Sequence, residues 1–207
     1  MHKKNCILVG YSGHAFVVYG ILKNAGIIVT GYFDNEEKFF NPFALNYLGK
    51  EADLSATEKI KETDYFIAIG DNNLRKKIYE QLSQNTNRFP INAIHPTAVI
   101  DSSVIIAKSG VMVSANAVIN SLAKIGTGVI CNTGCIIEHE CRVQDFAHIG
   151  PGAVLCGNVT IGQQTFVGAR AVIRQGINIG SNVIIGAGAV VVKDVADNTT
   201  VVGCPAK

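Results

Sequence analysis

Residues 125–192, written in groups of six, read IGTGVI CNTGCI IEHECR VQDFAH IGPGAV LCGNVT IGQQTF VGARAV IRQGIN IGSNVI IGAGAV VV. The first residue of every group is aliphatic or a cysteine, and the fifth is usually small or β-branched. A constant period of six fits neither an amphipathic helix nor an alternating strand. It is typical of a parallel β-helix built from hexapeptide repeats. An antiparallel sandwich of short strands is the alternative, and it does not explain the constant period.

The same spacing continues towards the N-terminus. The residues in the corresponding positions are Ile94, Ile100, Ile106, Met112 and Val118. A gap of seven residues separates Val118 from Ile125, which predicts one inserted residue within 120–124. Because three hexapeptides make one triangular coil, we expect a solenoid of roughly six coils.

Charge and glycine content divide the chain near residue 92. Residues 1–92 hold 21 charged residues and 7 glycines, whereas residues 93–207 hold 13 charged residues and 14 glycines. This contrast predicts a small α/β domain over 1–92. It predicts a repeat domain with a C-terminal tail over 93–207.

Charge, hydropathy and cysteine usage exclude several classes of protein. The net charge of +2 is divided evenly between the two parts, so we expect no nucleic-acid or anionic-membrane partner. No run of about 18 apolar residues predicts a membrane span, and the first four residues do not open a signal peptide. The six cysteines form no CxxC pair, which indicates a reducing cytoplasm rather than a disulfide framework.

The beginning of the chain has the order of a nucleotide-binding βαβ unit. Its expected parts are a strand over 6–9, the loop Gly10-Tyr11-Ser12-Gly13-His14, a helix over 15–25 capped at Gly26, and a strand over 27–33 that ends at Asp34-Asn35. Glycines let the backbone approach a phosphate, and a helix N-terminus favours an anion. The full G-x-G-x-x-G fingerprint is absent, so a mononucleotide or its sugar conjugate fits better than a dinucleotide. A tight turn that needs glycine only for its geometry is the alternative.

Two further helices and one strand complete the first domain. They are a helix over 55–62 with a capping box from Ser55 and Glu58, a strand over 65–69 that precedes Gly70, and a helix over 74–82. The run Arg75-Lys76-Lys77 on the last helix is interpreted as a solvated face.

Polar residues interrupt the repeat at Glu138-His139-Glu140. His139 follows the inward position by two residues, so its side chain is expected to point outward from a flat face. A neutral imidazole suits the removal of a proton from an amine that attacks a thioester. Glu140 would hold the tautomer and stabilise the imidazolium. A surface histidine without a catalytic role is the alternative.

A second histidine, His148, follows His139 by nine residues, which is half a coil. Half a coil places the two side chains on different faces of a triangular prism. They meet only if another subunit brings its own face alongside. The spacing therefore predicts a site between the subunits of a trimer.

Two other chemistries use the same residues. Cys141 next to the histidine suggests an acyl-cysteine intermediate, but its register places it in the core, where cysteine acts as a small hydrophobe. The two histidines also suggest zinc between subunits, but a catalytic zinc needs three ligands and an open position. His95 lies far back in the solenoid, so we expect no metal.

The solenoid and its tail, Gly203-Cys204-Pro205-Ala206-Lys207, resemble the left-handed β-helix acyltransferases, whose usual tail is G-x-P-A-K. This resemblance implies a left-handed coil. With Ser12-Gly13-His14 in the preceding domain, the chain resembles the group of sialic-acid O-acetyltransferases and bacillosamine-pathway N-acetyltransferases. The other matching segments are Phe66-Ile67-Ala68-Ile69-Gly70, Arg75-Lys76-Lys77, Asn132-Thr133, Ile137-Glu138-His139-Glu140-Cys141 and Gly157-Asn158-Val159.

The resemblance implies a role for each matching site residue. His139 corresponds to the general base, Glu140 to the glutamate that raises its basicity, and His148 to a histidine that contacts acetyl-CoA. The other positions implied for acetyl-CoA are Gly157, Ala169 and Ala187. Those implied for the nucleotide sugar are Ser12, Gly13, His14, Asp34, Asn35, Gly70 and Asn132. The family usually has two aspartates where this chain has Asp34-Asn35.

We therefore expect an α/β Rossmann-like domain followed by a left-handed parallel β-helix, assembled as a cytoplasmic homotrimer. The expected reaction is direct transfer from acetyl-CoA to the amino group of a nucleotide-activated sugar, such as a UDP-linked 4-amino sugar, in glycan biosynthesis. O-acetylation of a sugar hydroxyl, as in the sialic-acid branch, uses the same base and is the nearest alternative. A non-catalytic nucleotide-sugar binding module and a zinc hydrolyase are the alternatives from other classes.

Overall fold

The computed structural model describes residues 4–207. Residues 1–3, which belong to the segment where we expect no signal peptide, lie outside the described residues. The first part is a parallel sheet of four strands in the order β3-β2-β1-β4, with three helices. Its elements are β1 Asn5–Val9, α1 Gly13–Asn24, β2 Ile28–Phe33, β3 Asn46–Tyr47, α2 Leu54–Glu62, β4 Asp64–Ile67 and α3 Asn72–Thr86.

The strand–loop–helix–strand opening is confirmed, although α1 begins two residues earlier than predicted. The other two helices also differ from the prediction. The capping box at Ser55 is wrong, because α2 begins at Leu54 with Asp53 as its N-cap residue. Helix α3 begins two residues earlier than expected and continues to Thr86. Its start is fixed by Asp71, whose Oδ1 accepts a hydrogen bond from the Leu74 N–H at 2.8 Å.

The second part is the predicted parallel β-helix. Its strands have two residues each and form three parallel sheets, which are the three faces of a triangular prism. The seven-stranded face contains β5 Ala93–Ile94, β8 Met112–Val113, β11 Ile130–Cys131, β14 His148–Ile149, β17 Phe166–Val167, β20 Ile184–Ile185 and β22 Thr200–Val201. The six-stranded face contains β6 Val99–Ile100, β9 Val118–Ile119, β12 Ile136–Ile137, β15 Val154–Leu155, β18 Val172–Ile173 and β21 Val190–Val191. The five-stranded face contains β7 Ile105–Ile106, β10 Lys124–Ile125, β13 Arg142–Val143, β16 Thr160–Ile161 and β19 Asn178–Ile179.

The second residue of each central strand points into the prism, and the small residue four positions later fills the adjacent corner. Both sets form one continuous buried core. A residue at positive φ recurs every six positions through the corners, for example at Gly134, Glu140 and Phe146. This left-handed residue turns the chain from one face to the next, and the coils form a left-handed β-helix.

The predicted position of the inserted residue is wrong. Val118 pairs with Val99 on the outward side, and Ile119 is the residue that points into the core. The extra residue lies earlier, between Ile106 and Val113, because Ile106 pairs with Ile125 across nineteen residues rather than eighteen. Met112 is therefore an outward residue of the seven-stranded face.

That outward residue explains how the two parts of the chain pack together. Ala93, Met112 and Ile130 project from the seven-stranded face and are buried in the core of the first sheet, beside residues such as Leu8 and Phe66. The α/β unit therefore packs on the N-terminal half of this face. Further along the same face, Ile184 is exposed.

The interpretation of Arg75 as part of a solvated face is also wrong. Its side chain is 2% exposed, and it donates to the carbonyls of Gly128 and Phe146 in the solenoid at 2.8 Å each. It also donates to the carbonyl of Gly70 at 3.0 Å. A planar guanidinium with five donors suits this role. Arg75 thus joins the end of β4 to the solenoid.

The chain leaves the six-residue period after the last complete coil, as predicted for Asp194 to Asn198. Thr200 pairs with Ile184 after only sixteen residues. Among the described residues, no helix has the length and hydropathy needed to cross a bilayer.

Candidate functional site

A cleft of about 380 Å³ opens at the carboxyl edge of the first sheet. Four of the residues predicted to bind the nucleotide sugar line this cleft: Ser12, Asp34, Asn35 and Gly70. The carboxyl ends of parallel strands meet at this edge, because β1, β2 and β4 all run in the same direction. This edge is the usual binding position in an open α/β sheet.

Asp34 fixes the start of the glycine loop. Its Oδ2 accepts a hydrogen bond from the Tyr11 N–H at 2.8 Å, and its Oδ1 lies 3.1 Å from Lys38 Nζ. The ring of Tyr11 stacks on that of Tyr32 with 4.1 Å between the ring centroids, and this contact holds the loop against the sheet. The carboxylate is therefore already engaged on both oxygens, and it positions the loop as well as lining the cleft.

The N-terminus of α1 opens beside this loop. Ser12 is the N-cap residue, but its side chain makes no capping hydrogen bond. No acidic residue lies in the first turn of the helix. The exposed Gly13 lies next to it, so the hydroxyl and the first N–H groups are available to an anionic group of a ligand.

His14 and His148 form a second group, between the two parts of the chain. Their ring centroids are 6.2 Å apart. The ring of His14 lies against Gly70, where a β-carbon would stand 3.6 Å from Cγ. His148 is 7% exposed, and its ring centroid lies 5.0 Å from that of Phe166, with the two rings nearly perpendicular. His148 also lies 3.1 Å through Nε2 from the Asn132 amide.

Burial keeps both of these imidazoles neutral. Desolvation, followed by the charge of Arg75, lowers the pKa of His14 to about 4 and the pKa of His148 to about 3. One buried nitrogen of each ring, His14 Nε2 and His148 Nδ1, has no partner among the described residues. A buried imidazole nitrogen without a protein partner is suited to a bound water or a ligand hydroxyl.

His139 and Glu140 lie at the corner between the six- and five-stranded faces. The prediction of a flat face for His139 is therefore wrong, because the chain turns directly after Ile137. His139 Nδ1 lies 3.1 Å from Glu140 Oε2, and both side chains are about half exposed. Glu140 has φ +60, the left-handed conformation of that corner. The turn of the chain therefore places the carboxylate beside the ring.

Gly157 lies directly beneath His139 in the next coil. A β-carbon on this residue would stand 2.5 Å from His139 Nε2, so only glycine leaves room for the ring. Asn158 donates its N–H to the His139 carbonyl at 2.8 Å. The Gly157 N–H has no acceptor among the described residues. A free N–H next to an imidazole can donate to a developing oxyanion.

Ala169 and Ala187 stack at the corner between the seven- and six-stranded faces. The Ala169 carbonyl accepts the Gly188 N–H at 2.8 Å, and neither alanine N–H has an acceptor among the described residues. Asn132 lies at the same corner, two coils earlier. The residues predicted to bind acetyl-CoA are thus divided between two corners, because Gly157 lies with His139 while these alanines lie near His148.

The structure disfavours an acyl-cysteine intermediate. Cys141 is buried, its Sγ points at the Cys156 carbonyl at 3.2 Å, and burial raises its pKa to about 11. A thiol of this kind is a poor nucleophile. Among residues 4–207, no three histidine, cysteine, aspartate or glutamate side chains cluster as metal ligands would.

Lys38 and Glu51 are among the residues of the cleft that sequence reasoning missed. They line it together with the predicted positions. Both lie in the segment between β2 and α2, which has no repeat or recognised motif. The only signal was their proximity in sequence to Asp34 and to the end of the second strand.

Family models match segments in both parts of the chain. Residues 5–82 match the family model of the PglD N-terminal domain, and residues 158–193 match the hexapeptide repeat of succinyl-transferase. A segment of 113 residues is 32% identical to UDP-N-acetylbacillosamine N-acetyltransferase from Bacillus subtilis. That match covers 54% of this chain and 52% of the relative, so it spans about half of each protein.

Solved structures match over nearly the whole chain. A histidine-to-asparagine mutant of perosamine N-acetyltransferase from Caulobacter crescentus, in complex with CoA and GDP-perosamine, is 35% identical with a TM-score of 0.92. The match covers 98% of this chain and 95% of that chain. The acetyltransferase domain of PglB from Neisseria gonorrhoeae, in complex with acetyl coenzyme A, is 32% identical with a TM-score of 0.91 and covers 100% and 99%. The chain therefore belongs to the family of acetyltransferases that combine a PglD N-terminal domain with a hexapeptide-repeat β-helix.

Proposed function

We propose that the protein transfers the acetyl group of acetyl-CoA to the amino group of a nucleotide-linked 4-amino sugar. The observation that carries this proposal is the pairing of His139 with Glu140 above Gly157, on a solenoid joined to a nucleotide-sized cleft. The relatives support it, because one is named for UDP-N-acetylbacillosamine and another is complexed with GDP-perosamine. We assign residues 1–92 to holding the nucleotide and residues 93–207 to the transfer.

In the proposed reaction, the amine nitrogen forms a bond to the thioester carbonyl carbon and the carbon–sulfur bond breaks. His139 Nε2, the ring nitrogen that does not face Glu140, takes the proton from the attacking amine. Glu140 holds the opposite nitrogen and stabilises the imidazolium. The Gly157 N–H donates to the carbonyl oxygen as negative charge develops on it. His139 then returns the proton to the departing thiolate, so the base is regenerated.

Two groups of predicted residues remain apart within one chain, and a homotrimer would bring them together. His148, Asn132 and the alanines flank one side of the six-stranded face, whereas His139 flanks the other side. The outward residues along this face are aliphatic: Val118, Ile136, Val154, Val172 and Val190. Cyclic packing of three such faces around one axis would bring two different corners together. The corner of one subunit that carries Asn132 and the alanines would lie beside the corner of the next subunit that carries His139.

Mixed subunits test this arrangement. We expect His139→Asn and His148→Asn each to be inactive when assembled alone. Co-assembly in equal amounts would restore about a quarter of the sites, because a site needs His139 from one subunit and His148 from its neighbour. A monomer by sedimentation, or mixtures that stay as inactive as their components, would contradict the trimer.

A thiol-release assay tests the reaction itself. Acetyl-CoA would be offered with UDP-, GDP- and dTDP-linked 4-amino sugars, and with free sialic acid as a hydroxyl acceptor. Turnover of an amino sugar supports the proposal and identifies the nucleotide. Turnover of sialic acid alone would move the protein to the O-acetyl branch. Tight nucleotide-sugar binding without turnover would indicate a binding module.

A cytoplasmic location fits this reaction, because acetyl-CoA and nucleotide sugars are cytoplasmic metabolites. All six cysteines are free thiols. Four of them are buried, which agrees with a reducing compartment.

A further inference from the structure

The cleft proposed to hold the nucleotide is rich in carboxylates. Asp34, Glu51 and Asp71 line it, and Lys38 is the one cationic side chain among the described lining residues. A nucleotide sugar carries a diphosphate with two negative charges. An anion of this kind needs a cationic partner when acidic groups surround it. Among the described lining residues, Lys38 is the group that can supply this positive charge.

Lys38 is held between two carboxylates. Its Nζ lies 3.1 Å from Asp34 Oδ1 and 3.1 Å from Glu36 Oε1. Its backbone N–H donates to the Tyr32 hydroxyl at 2.9 Å, which fixes the base of the side chain. Hydrogen bonds to Asp34 and then to Glu36 raise the pKa of Lys38, so it remains charged at neutral pH.

The two carboxylates differ in how firmly they are held. The Asp34 side chain is 14% exposed, and its second oxygen accepts the Tyr11 N–H. The Glu36 side chain is 76% exposed and makes no other hydrogen bond among the described residues. An exposed ion pair of this kind contributes little to stability, so Lys38 can exchange Glu36 for another anion at small cost.

We propose that Lys38 binds the diphosphate of the nucleotide sugar by replacing Glu36 with a phosphate oxygen while keeping its contact with Asp34. An ammonium group has three donors, so both contacts are possible at once. Through Asp34 the same lysine stays coupled to the Tyr11 N–H at the start of the glycine loop. Lys38 thereby sets a preference for diphosphate ligands over uncharged nucleosides. This inference rests on the proposed function of the cleft.

Calorimetric titration of the full chain tests the inference. The ligands are UDP, GDP and dTDP, each with its own nucleoside as the uncharged reference. We expect Lys38→Met to weaken binding of the diphosphate roughly tenfold to hundredfold, as for loss of a charge-assisted hydrogen bond, and to leave nucleoside binding within about twofold. Lys38→Arg should recover most of the loss. Glu36→Gln is the matched control and should bind the diphosphate as well as the wild type, or more tightly.

Three outcomes would overturn it. Unchanged diphosphate binding by Lys38→Met would mean that another group neutralises the phosphates. An equal loss for nucleoside and diphosphate would mean that Lys38 only supports Asp34. A wild-type protein that binds none of the three diphosphates would remove the nucleotide role of the cleft itself, so this failure is distinguishable from the first two.

Discussion

The imidazole of His139 lies on the backbone of Gly157, one coil further along the solenoid, at a distance that leaves no space for a β-carbon. The contact fixes the height of the ring above the corner. It also places the free Gly157 N–H beside the nitrogen that we assign as the base. The two groups that we assign to the proposed reaction are thus eighteen residues apart, which is one coil of the solenoid.

The first prediction concerns Gly157→Ala. The added carbon would meet the His139 ring rather than the backbone, so the ring moves and the fold remains. We expect kcat/KM to fall about 100-fold, as for a small misplacement of a catalytic group, with little change in Tm. Gly20→Ala is the control, because a β-carbon there meets nothing within 4 Å. A fully active Gly157→Ala enzyme would show that the contact is unnecessary.

Glu140 provides the second prediction. Glu140→Gln keeps the shape of the side chain but removes the charge that faces His139 Nδ1. We expect kcat to fall roughly tenfold, less than for a buried triad, because solvent screens this half-exposed pair. KM for both substrates should not change. Glu138→Gln is the matched control, since Glu138 accepts from Asn120 at 3.0 Å instead. Equal losses in both variants would argue against a specific role for Glu140.

The third prediction concerns acid stability. The pKa values of His14 and His148 in the folded protein, about 4 and about 3, lie below the unfolded value near 6.5. Below pH 6.5 these two imidazoles are therefore protonated in the unfolded chain but stay neutral in the folded protein. As the pH is lowered below 6.5, the free energy of unfolding should decrease by about 1.4 kcal/mol per pH unit for each histidine, until the pKa of the folded protein is reached.

Urea unfolding between pH 7 and 4.5 measures this slope. We expect His14→Asn and His148→Asn each to make the slope shallower. A slope in both variants that equals the slope of the wild type would contradict the assignment.

The fourth prediction concerns the contact between the two parts of the chain. Arg75→Lys keeps a positive charge but cannot reach the carbonyls of Gly128, Phe146 and Gly70 together. Buried carbonyls without donors cost about 1 kcal/mol or more each, so we expect a loss of about 3 kcal/mol in the free energy of unfolding. Lys77→Met on the exposed side of α3 should change little. If Arg75→Lys were as stable as Lys77→Met, the arginine fork would not be needed.

The sequence predicts the solenoid well because each inward residue has one environment, the core of the prism. The prediction fails where a residue of one part of the chain also packs against the other part. Met112 and Val113 are both apolar, and the outward residue is buried by the first domain, so the pattern alone does not choose between them. The burial of Arg75 was not predicted for a similar reason. A charged helix residue is usually solvated, and only the packing of the solenoid against α3 buries this one.

The candidate site shows the same division. The contact of His139 with Gly157 agrees with the period, because a step of eighteen residues returns to the same corner. The environment of His148 cannot be predicted from the period, because it depends on His14 and on the packing of the first domain against the seven-stranded face. Lys38 lies in a loop between elements, where contacts are set by the tertiary fold rather than by any period.

The most direct test of the account is the steady-state rate of thiol release by His139→Asn, with acetyl-CoA and the best amino-sugar acceptor. Asparagine fits the space above Gly157 but cannot take a proton. We expect kcat to fall by about 100-fold to 10,000-fold, with Tm and binding of the nucleotide sugar unchanged. A variant that retains most of the wild-type kcat would show that His139 is not the base, and the proposed mechanism would then be wrong.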